Sequence, residues 1–187
     1  MRKLIYSINL TIDGCADHMK IGPPAADLFE HFIELTRSGD TLLYGRKLYE
    51  IMFPYWPDVL KNPEGEAKES IQFAEVFCAV ENIVVVSKTL QGVEEKNARI
   101  IRSNFEAEVL ALKAAPGKNI LTGGVELCAQ LTQLGLIDEY QFVIYPAIAG
   151  AGRRLWDSLG LPDNLPLQLV ECKAFQSGFV LLRYVKS

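Results

Sequence analysis

The sequence predicts an α/β fold: a mostly parallel, mixed sheet with helices on both faces, closed by a C-terminal antiparallel hairpin. Three observations predict it. Period-two apolar runs alternate with helical-period runs almost from end to end, the pattern of a parallel sheet between helix layers. The last two apolar runs, residues 167–175 and 179–185, flank the turn Gln176-Ser177-Gly178 and read as a hairpin. The 187 residues are 49% hydrophobic and 22% charged, enough for a substantial core in a single domain over residues 1–187.

The elements follow in order. Leu4, Tyr6, Ile8 and Leu10 alternate with Ile5, Ser7 and Asn9, giving a first strand with one wholly apolar face. Its other face turns polar toward Asp13-Gly14, which closes it. Gly22-Pro23-Pro24 leads into a helix over residues 25–37 with Leu28, Phe32 and Leu35 as its inward stripe. Residues 41–44 make a short buried strand. A helical turn over 46–52 is expected to break at Phe53-Pro54-Tyr55-Trp56-Pro57, because prolines interrupt the ladder there. Residues 64–80 carry a helical pattern, and the β-branched run 83–86 reads as a central strand covered on both faces. Strands are expected at 99–102 and 119–122, with a helix marked by Phe105, Val109 and Leu112 between them. Gly123-Gly124 opens a helix with Leu127, Leu131 and Leu134 inward, and residues 138–145 form a long strand.

A net charge of −4, with no cluster of Lys or Arg, excludes the concentrated positive charge that nucleic-acid binding needs. No apolar run approaches the roughly 20 residues of a membrane span. Met1-Arg2-Lys3 runs directly into the first strand without an apolar leader, so a cytoplasmic protein is expected. Cys15, Cys78, Cys128 and Cys172 lie far apart, and with only His18 and His31 beside them they lack zinc-ligand spacing.

Ligands of such sheets bind beyond the carboxyl ends of the strands, where the polar breaks of this sequence fall. Thr122-Gly123-Gly124-Val125-Glu126 joins a strand to a helix, and glycines there admit a phosphate to free N–H groups; a plain turn is the alternative. It is not G-x-G-x-x-G. Gly45-Arg46-Lys47 repeats the arrangement after another strand and adds a guanidinium suited to bidentate phosphate contacts. Ser87-Lys88-Thr89 adds hydroxyls and a cation that suit a ribose 2′-phosphate. Taken alone, Arg46 also fits a surface arginine at a helix start, and Ser87-Lys88-Thr89 a solvated loop. Three together favour an extended anionic ligand.

These segments carry a resemblance. Residues 4–14 resemble the opening strand of the dihydrofolate reductase-like superfamily in its S-x-D-G version. Tyr44-Gly45-Arg46-Lys47-Leu48-Tyr49-Glu50 is similar to its G-R-x-T-[YW]-E segment, and Val85-Val86-Ser87-Lys88-Thr89-Leu90 to its V-S-x-T-L segment. Thr122-Gly123-Gly124, Gly135-Leu136-Ile137-Asp138-Glu139 and the run from Pro146 to Gly152 resemble its G-G…G-L-I-D-E…P-x-x-x-G-x-G block. The nearest group is the reductase domain of the riboflavin-biosynthesis deaminase-reductase (the RibD C-terminal domain). The resemblance implies a dihydrofolate reductase-like three-layer α/β/α fold. It also implies NADPH as cofactor, held by Gly45, Arg46, Lys47, Ser87, Lys88, Thr89 and the turn from Thr122 to Glu126. In the first cofactor segment Leu48 departs from the Thr, which removes one hydroxyl contact. On the substrate side Thr122 stands where an acid usually precedes the Gly turn, and Phe53-Pro54-Tyr55-Trp56 replaces an arginine-bearing loop.

Asp27 resembles the early-helix acid that helps protonate the pterin in dihydrofolate reductases; a carboxyl buried in such a cleft would have a raised pKa. The alternative, an ordinary first-turn acid favoured by the helix dipole, is the more common case. Ser7, Asn9, Asp13 and His18 are the substrate-side candidates around the first strand, His18 alternatively being a solvated loop residue. Tyr49, Tyr55 and Trp56 suit a stacking wall for a flat heterocycle, or core packing, or a dimer contact. The expected function is NADPH-dependent reduction of a small heterocyclic or carbonyl substrate, resembling 5-amino-6-(5-phosphoribosylamino)uracil reductase. The alternatives are a dihydrofolate reductase using Asp27, or a non-catalytic nucleotide-binding or structural dimer. A homodimer is expected because residues 179–184 are apolar on both faces, unless the chain itself covers them.

Overall fold

The computed structural model of the chain describes residues 1–157 and 164–186. One eight-stranded sheet has the order β4-β3-β2-β5-β1-β6-β8-β7. β1 (Leu4–Thr11), β2 (Gly39–Gly45), β3 (Asn82–Val86), β4 (Ala98–Ile101), β5 (Asn119–Thr122) and β6 (Glu139–Tyr145) run parallel. β7 (Leu167–Ala174) and β8 (Val180–Lys186) form the expected hairpin, with β8 antiparallel to β6.

The chain moves outward from β1 through β2 to β3 by way of α1 (Ala26–Arg37), α2 (Arg46–Lys61) and α3 (Lys68–Cys78). It returns from β4 through β5 to β6 by way of α4 (Phe105–Ala114) and α5 (Glu126–Gln133). A uniform hand of crossover then puts the two helix sets on opposite faces. The cores agree. Ile5, Leu42, Ile83, Val85 and Leu121 pack with Phe29, Phe53, Phe73 and Phe77 from the first set. Leu4, Tyr6, Ile8, Leu10, Leu43, Val84 and Ile120 pack with Val109, Leu127 and Leu131 from the second. The period-two alternation of β1 is therefore a sorting of side chains between two cores.

Four expectations are corrected. α2 does not break at its aromatic segment; it continues to Lys61 through Pro54 and Pro57. Each proline removes one ladder hydrogen bond, but Tyr49, Phe53 and Trp56 on the same helix pack with Phe29, Phe73 and Phe77, and that burial offsets the loss. α3 begins only at Lys68, after the Pro63–Glu66 turn. β3 is buried on both faces yet lies second from the sheet edge. Leu134 caps α5 and is exposed, its inward place taken by Leu136 and Ile137.

β8 divides the question of its cover. Phe179 and Leu181 pack with Leu28, Val143, Tyr145 and Phe175 inside the chain. On the other face Leu182 joins Leu10, Phe142, Ile144, Leu155 and Leu165 around an apolar cleft of about 440 Å³. Among the described residues no helix is long and apolar enough to cross a membrane.

Candidate functional site

The register of the central strands creates a notch. β5 pairs with β1 only as far as Tyr6 opposite Thr122, and with β2 only as far as Leu43 opposite Thr122. β1 continues to Thr11 alongside β6, and β2 to Gly45 alongside β3. The short β5 thus leaves a gap between two longer neighbours, and Gly123-Gly124 turn the chain at its base. Such a gap at the carboxyl ends of parallel strands is where α/β sheets take ligands.

Close packing explains the glycines. A Cβ at Gly123 would stand 3.2 Å from Leu48 Cδ2 and 3.3 Å from the Ser7 carbonyl oxygen. Gly124 has φ +81°, a conformation that side chains rarely adopt. The Gly turn is braced from beneath. The Thr122 hydroxyl donates to the Leu43 carbonyl at 2.7 Å, and the Cys128 thiol lies 3.2 Å from the Gly123 carbonyl. Burial pushes the Cys128 thiol up to about 12. Thr122 is buried, and its side chain ties β5 to β2.

The polar clusters lie side by side in strand order: Ser87 at the end of β3, Gly45 at the end of β2, the Gly turn at β5, and Ser7 and Asn9 in β1. Ser7 and Asn9 are half-buried on the α1 face of β1. Arg46 pairs with Glu50 of its own helix at 3.1 Å. Lys47 instead reaches across to Glu126 at 3.1 Å, and Arg153, from the loop after β6, meets the same Glu126 oxygen at 2.6 Å. These two cations hold the Glu126 carboxyl below its usual range, Arg153 more than Lys47. Val125, the residue before α5, packs against the core.

The Ser87 oxygen accepts the N–H of Thr89 and of Leu90, folding the loop so that Lys88 and Thr89 are exposed. Arg102, at the end of β4, donates to the carbonyls of Leu90 and Gln91. The Tyr49 hydroxyl donates to Glu95 at 2.5 Å, clamping the same loop to α2, and burial together with that bond pushes the phenol up to about 12.

Several substrate-side expectations are corrected. Tyr49 is buried against Phe53, and Trp56 packs edge-on to Phe73 at 4.6 Å, so they build core and not a stacking wall. Tyr55 is half-exposed on the outer side of α2. The Asp13 carboxylate accepts the Thr11 hydroxyl and the N–H groups of Ala149 and Gly150, and these bonds hold it down to about 2. It clamps the loop after β1 to the loop after β6. Asp27 accepts both the Ser177 hydroxyl and its N–H, in the β7–β8 turn, and the hydroxyl bond lowers its pKa, the reverse of the shift expected of a proton donor. His18 is exposed in the turn after β1. Arg153 and Arg102 escaped the sequence reading. The available signal was Gly150-Ala151-Gly152-Arg153-Arg154, cations directly after a Gly-rich loop beyond a strand.

Fold and site define a class: an α/β domain with a glycine-floored notch at the carboxyl ends of its parallel strands. Residues 2–181 match the RibD C-terminal domain model, and the chain belongs to that family. It is similar to the uncharacterized protein YyaP of Bacillus subtilis (strain 168), 28% identical over 186 residues, covering 98% of this chain and 94% of that protein. Among solved structures it superposes on a putative riboflavin biosynthesis protein from Shewanella sp. PV-4 with a TM-score of 0.73 at 15% identity, covering 99% of each chain. A pyrimidine reductase-like protein from Corynebacterium diphtheriae gives 0.68 at 14% identity, covering 100% of this chain and 92% of that one. The deaminase/5-amino-6-(5-phosphoribosylamino)uracil reductase of Thermotoga maritima gives 0.66 at 14% identity, covering 100% of this chain and 57% of that one. These likenesses show the fold.

Proposed function

We propose that the protein is an NADPH-dependent reductase that passes hydride to a small heterocyclic or carbonyl substrate held in the notch. One observation carries the reading: the early end of β5, which opens the sheet between β1 and β2 over a turn where a Cβ at Gly123 would crowd Leu48 and the Ser7 carbonyl. The residues fit a dinucleotide. The Gly123-Gly124 turn admits close backbone approach ahead of α5, Arg46 and Lys47 supply cations at the start of α2, and Lys88 is exposed at the end of β3. Bound there, NADPH would supply the hydride, the chemistry that the protein itself lacks. The chain's own share is orientation and exclusion of water. Ser7 and Asn9 present polar groups from β1, and Leu48 packs against the glycine turn.

Family membership and the reductases among the structural neighbours support an oxidoreductase. A pterin reductase built on Asp27 has less support, since that carboxylate is engaged by Ser177 and held ionised. We further propose a cytoplasmic homodimer, paired through the apolar cleft around Phe142, Ile144 and Leu182. Light scattering checks the pairing: a mass near 20.9 kDa that persists on concentration contradicts it. Calorimetric titration with NADPH checks the dinucleotide site, and oxidation of NADPH that depends on an added heterocyclic or carbonyl substrate checks the reductase reading.

A further inference from the structure

An open cavity of about 640 Å³ lies at the amino ends of β1, β2 and β5, the opposite end of the sheet from the notch. Arg2 and Lys3 line it from the start of β1, and the α4–β5 loop brings Lys118. Among the described lining residues there is no carboxylate. Arg2 sets this cavity apart, because its side chain is only 6% exposed. A buried guanidinium has five N–H groups to satisfy, and they can be counted. Nε donates to the Lys118 carbonyl at 2.6 Å. Nη2 donates to the Asp40 carboxylate and to the Thr41 hydroxyl. The two N–H groups of Nη1 have no partner among the described residues. Asp40 is spent on this end as well, accepting the Thr41 hydroxyl and the Lys118 N–H. The loop passes so close that a Cβ at Gly117 would overlap Asp40 Oδ2 and stand 3.1 Å from Arg2 Cζ.

We propose that this cavity is a second ligand site, which receives the carboxylate or phosphate group of a small molecule on Nη1 of Arg2, with Lys118 beside it. The ion pair with Asp40 explains Nη2, and the loop carbonyl explains Nε; neither explains Nη1. Held by three partners, the guanidinium cannot swing out to water. An oxyanion entering the cavity meets two fixed donors and gains charge-assisted bonds without reorganising them. Asp40 offsets the charge of Arg2, so the attraction rests on exposed Lys118 and on Lys3, which is 58% exposed and 3.6 Å from Glu139. The carboxyl ends of α1 and α4 also meet this end of the sheet, and helix ends of that sign favour cations. That accounts for positive charge here, but not for a donor left unspent on a buried side chain. The site does not depend on the notch and stands whether or not a dinucleotide binds there.

Glycerol phosphate and succinate are the probes, one for each oxyanion, titrated into the full chain and followed by its amide NMR signals. The signals of Arg2, Lys3, Thr41 and residues 117–119 should shift saturably, with a Kd on the order of millimolar for the better probe. Lys118→Gln, which keeps the backbone bonds of the loop, should weaken that binding about three- to tenfold. Arg2→Lys keeps the charge and loses the planar donors, and should weaken it about tenfold or more. If Arg2→Lys fails to fold, Lys118→Gln decides alone. Tighter binding of glycerol phosphate makes the ligand a phosphate ester, and tighter binding of succinate makes it a carboxylate; either upholds the site. No saturable shift with either probe overturns the proposal. So do shifts confined to the glycine turn and the other end of the sheet, or equal affinity in the native protein and Lys118→Gln.

Discussion

Gly123 backs onto Ser7, with only 3.3 Å between the Ser7 carbonyl oxygen and the position of a Cβ on the glycine. The neighbour is strand backbone, which cannot swing aside as the Leu48 methyl can. Gly123→Ala should therefore cost about 1–2 kcal/mol, seen as an earlier urea midpoint, because β1 must shift to admit the methyl. NADPH affinity should fall about tenfold or more as the floor of the notch rises. Gly124 offers a charge test with its own control. At φ +81° both Asn and Asp meet the same backbone strain, so Gly124→Asp should bind NADPH at least about tenfold more weakly than Gly124→Asn.

Lys88 stands exposed beyond the Ser87 cap, at the end of the strand next to β2. A well-formed contact between a cation and a 2′-phosphate is worth roughly 1.5–3 kcal/mol, or a tenfold to hundredfold preference for NADPH over NADH. Lys88→Ala should bring the two affinities together by weakening NADPH alone. Equal affinity of the native protein for the two cofactors removes the role given to Lys88.

The clamp between Tyr49 and Glu95 should govern the loop that carries Lys88. Tyr49→Phe removes the hydroxyl that donates to Glu95 and accepts the Glu94 N–H, at a cost of about 1–2 kcal/mol. Faster amide exchange over residues 88–97, with α4 and β6 unchanged, is the expected pattern. Exchange spread evenly over the chain would show that the bond is not local.

Asp13 gives a pH dependence with a definite sign. The Thr11 hydroxyl, then the Ala149 and Gly150 N–H groups, hold its folded pKa at about 2, below the unfolded 3.8. Its contribution is complete above the unfolded value and is lost as pH falls through the folded one. Melting temperature should fall between pH 4 and 2 in the native protein, and by less in Asp13→Asn, which should also melt lower at neutral pH. Parallel curves would mean that Asp13 does not clamp the two loops.

The parallel sheet, its helix layers and the closing hairpin were legible because they rest on periodicity. Leu4, Tyr6, Ile8 and Leu10 do sort onto one core, and Gln176-Ser177-Gly178 does turn the hairpin. α2 was not legible, since local chemistry put a break at Pro54 while the aromatic contacts that carry the helix past it come from α1 and α3, distant in sequence. The glycine turns were read correctly as places where strands end. The notch was not, because it depends on β5 being shorter than both neighbours, a matter of register that no single strand reveals. Side-chain direction was the least accessible. Asp13, Asp27 and Tyr49 carry chemically apt groups, and only the loops packed against them show those groups bonded to Ala149, Ser177 and Glu95. Arg153 was hidden in the same way: its partner is 27 residues back in the chain.

The central claim is that a reduced dinucleotide lies across the notch between β1 and β2. Titrating the native protein and Gly124→Asp with NADPH in one calorimetric series tests it most directly. The account predicts saturable binding of one NADPH per chain to the native protein, and affinity lower by about tenfold or more in the folded variant. Absence of binding to the native protein, or equal affinity in the two, would contradict it.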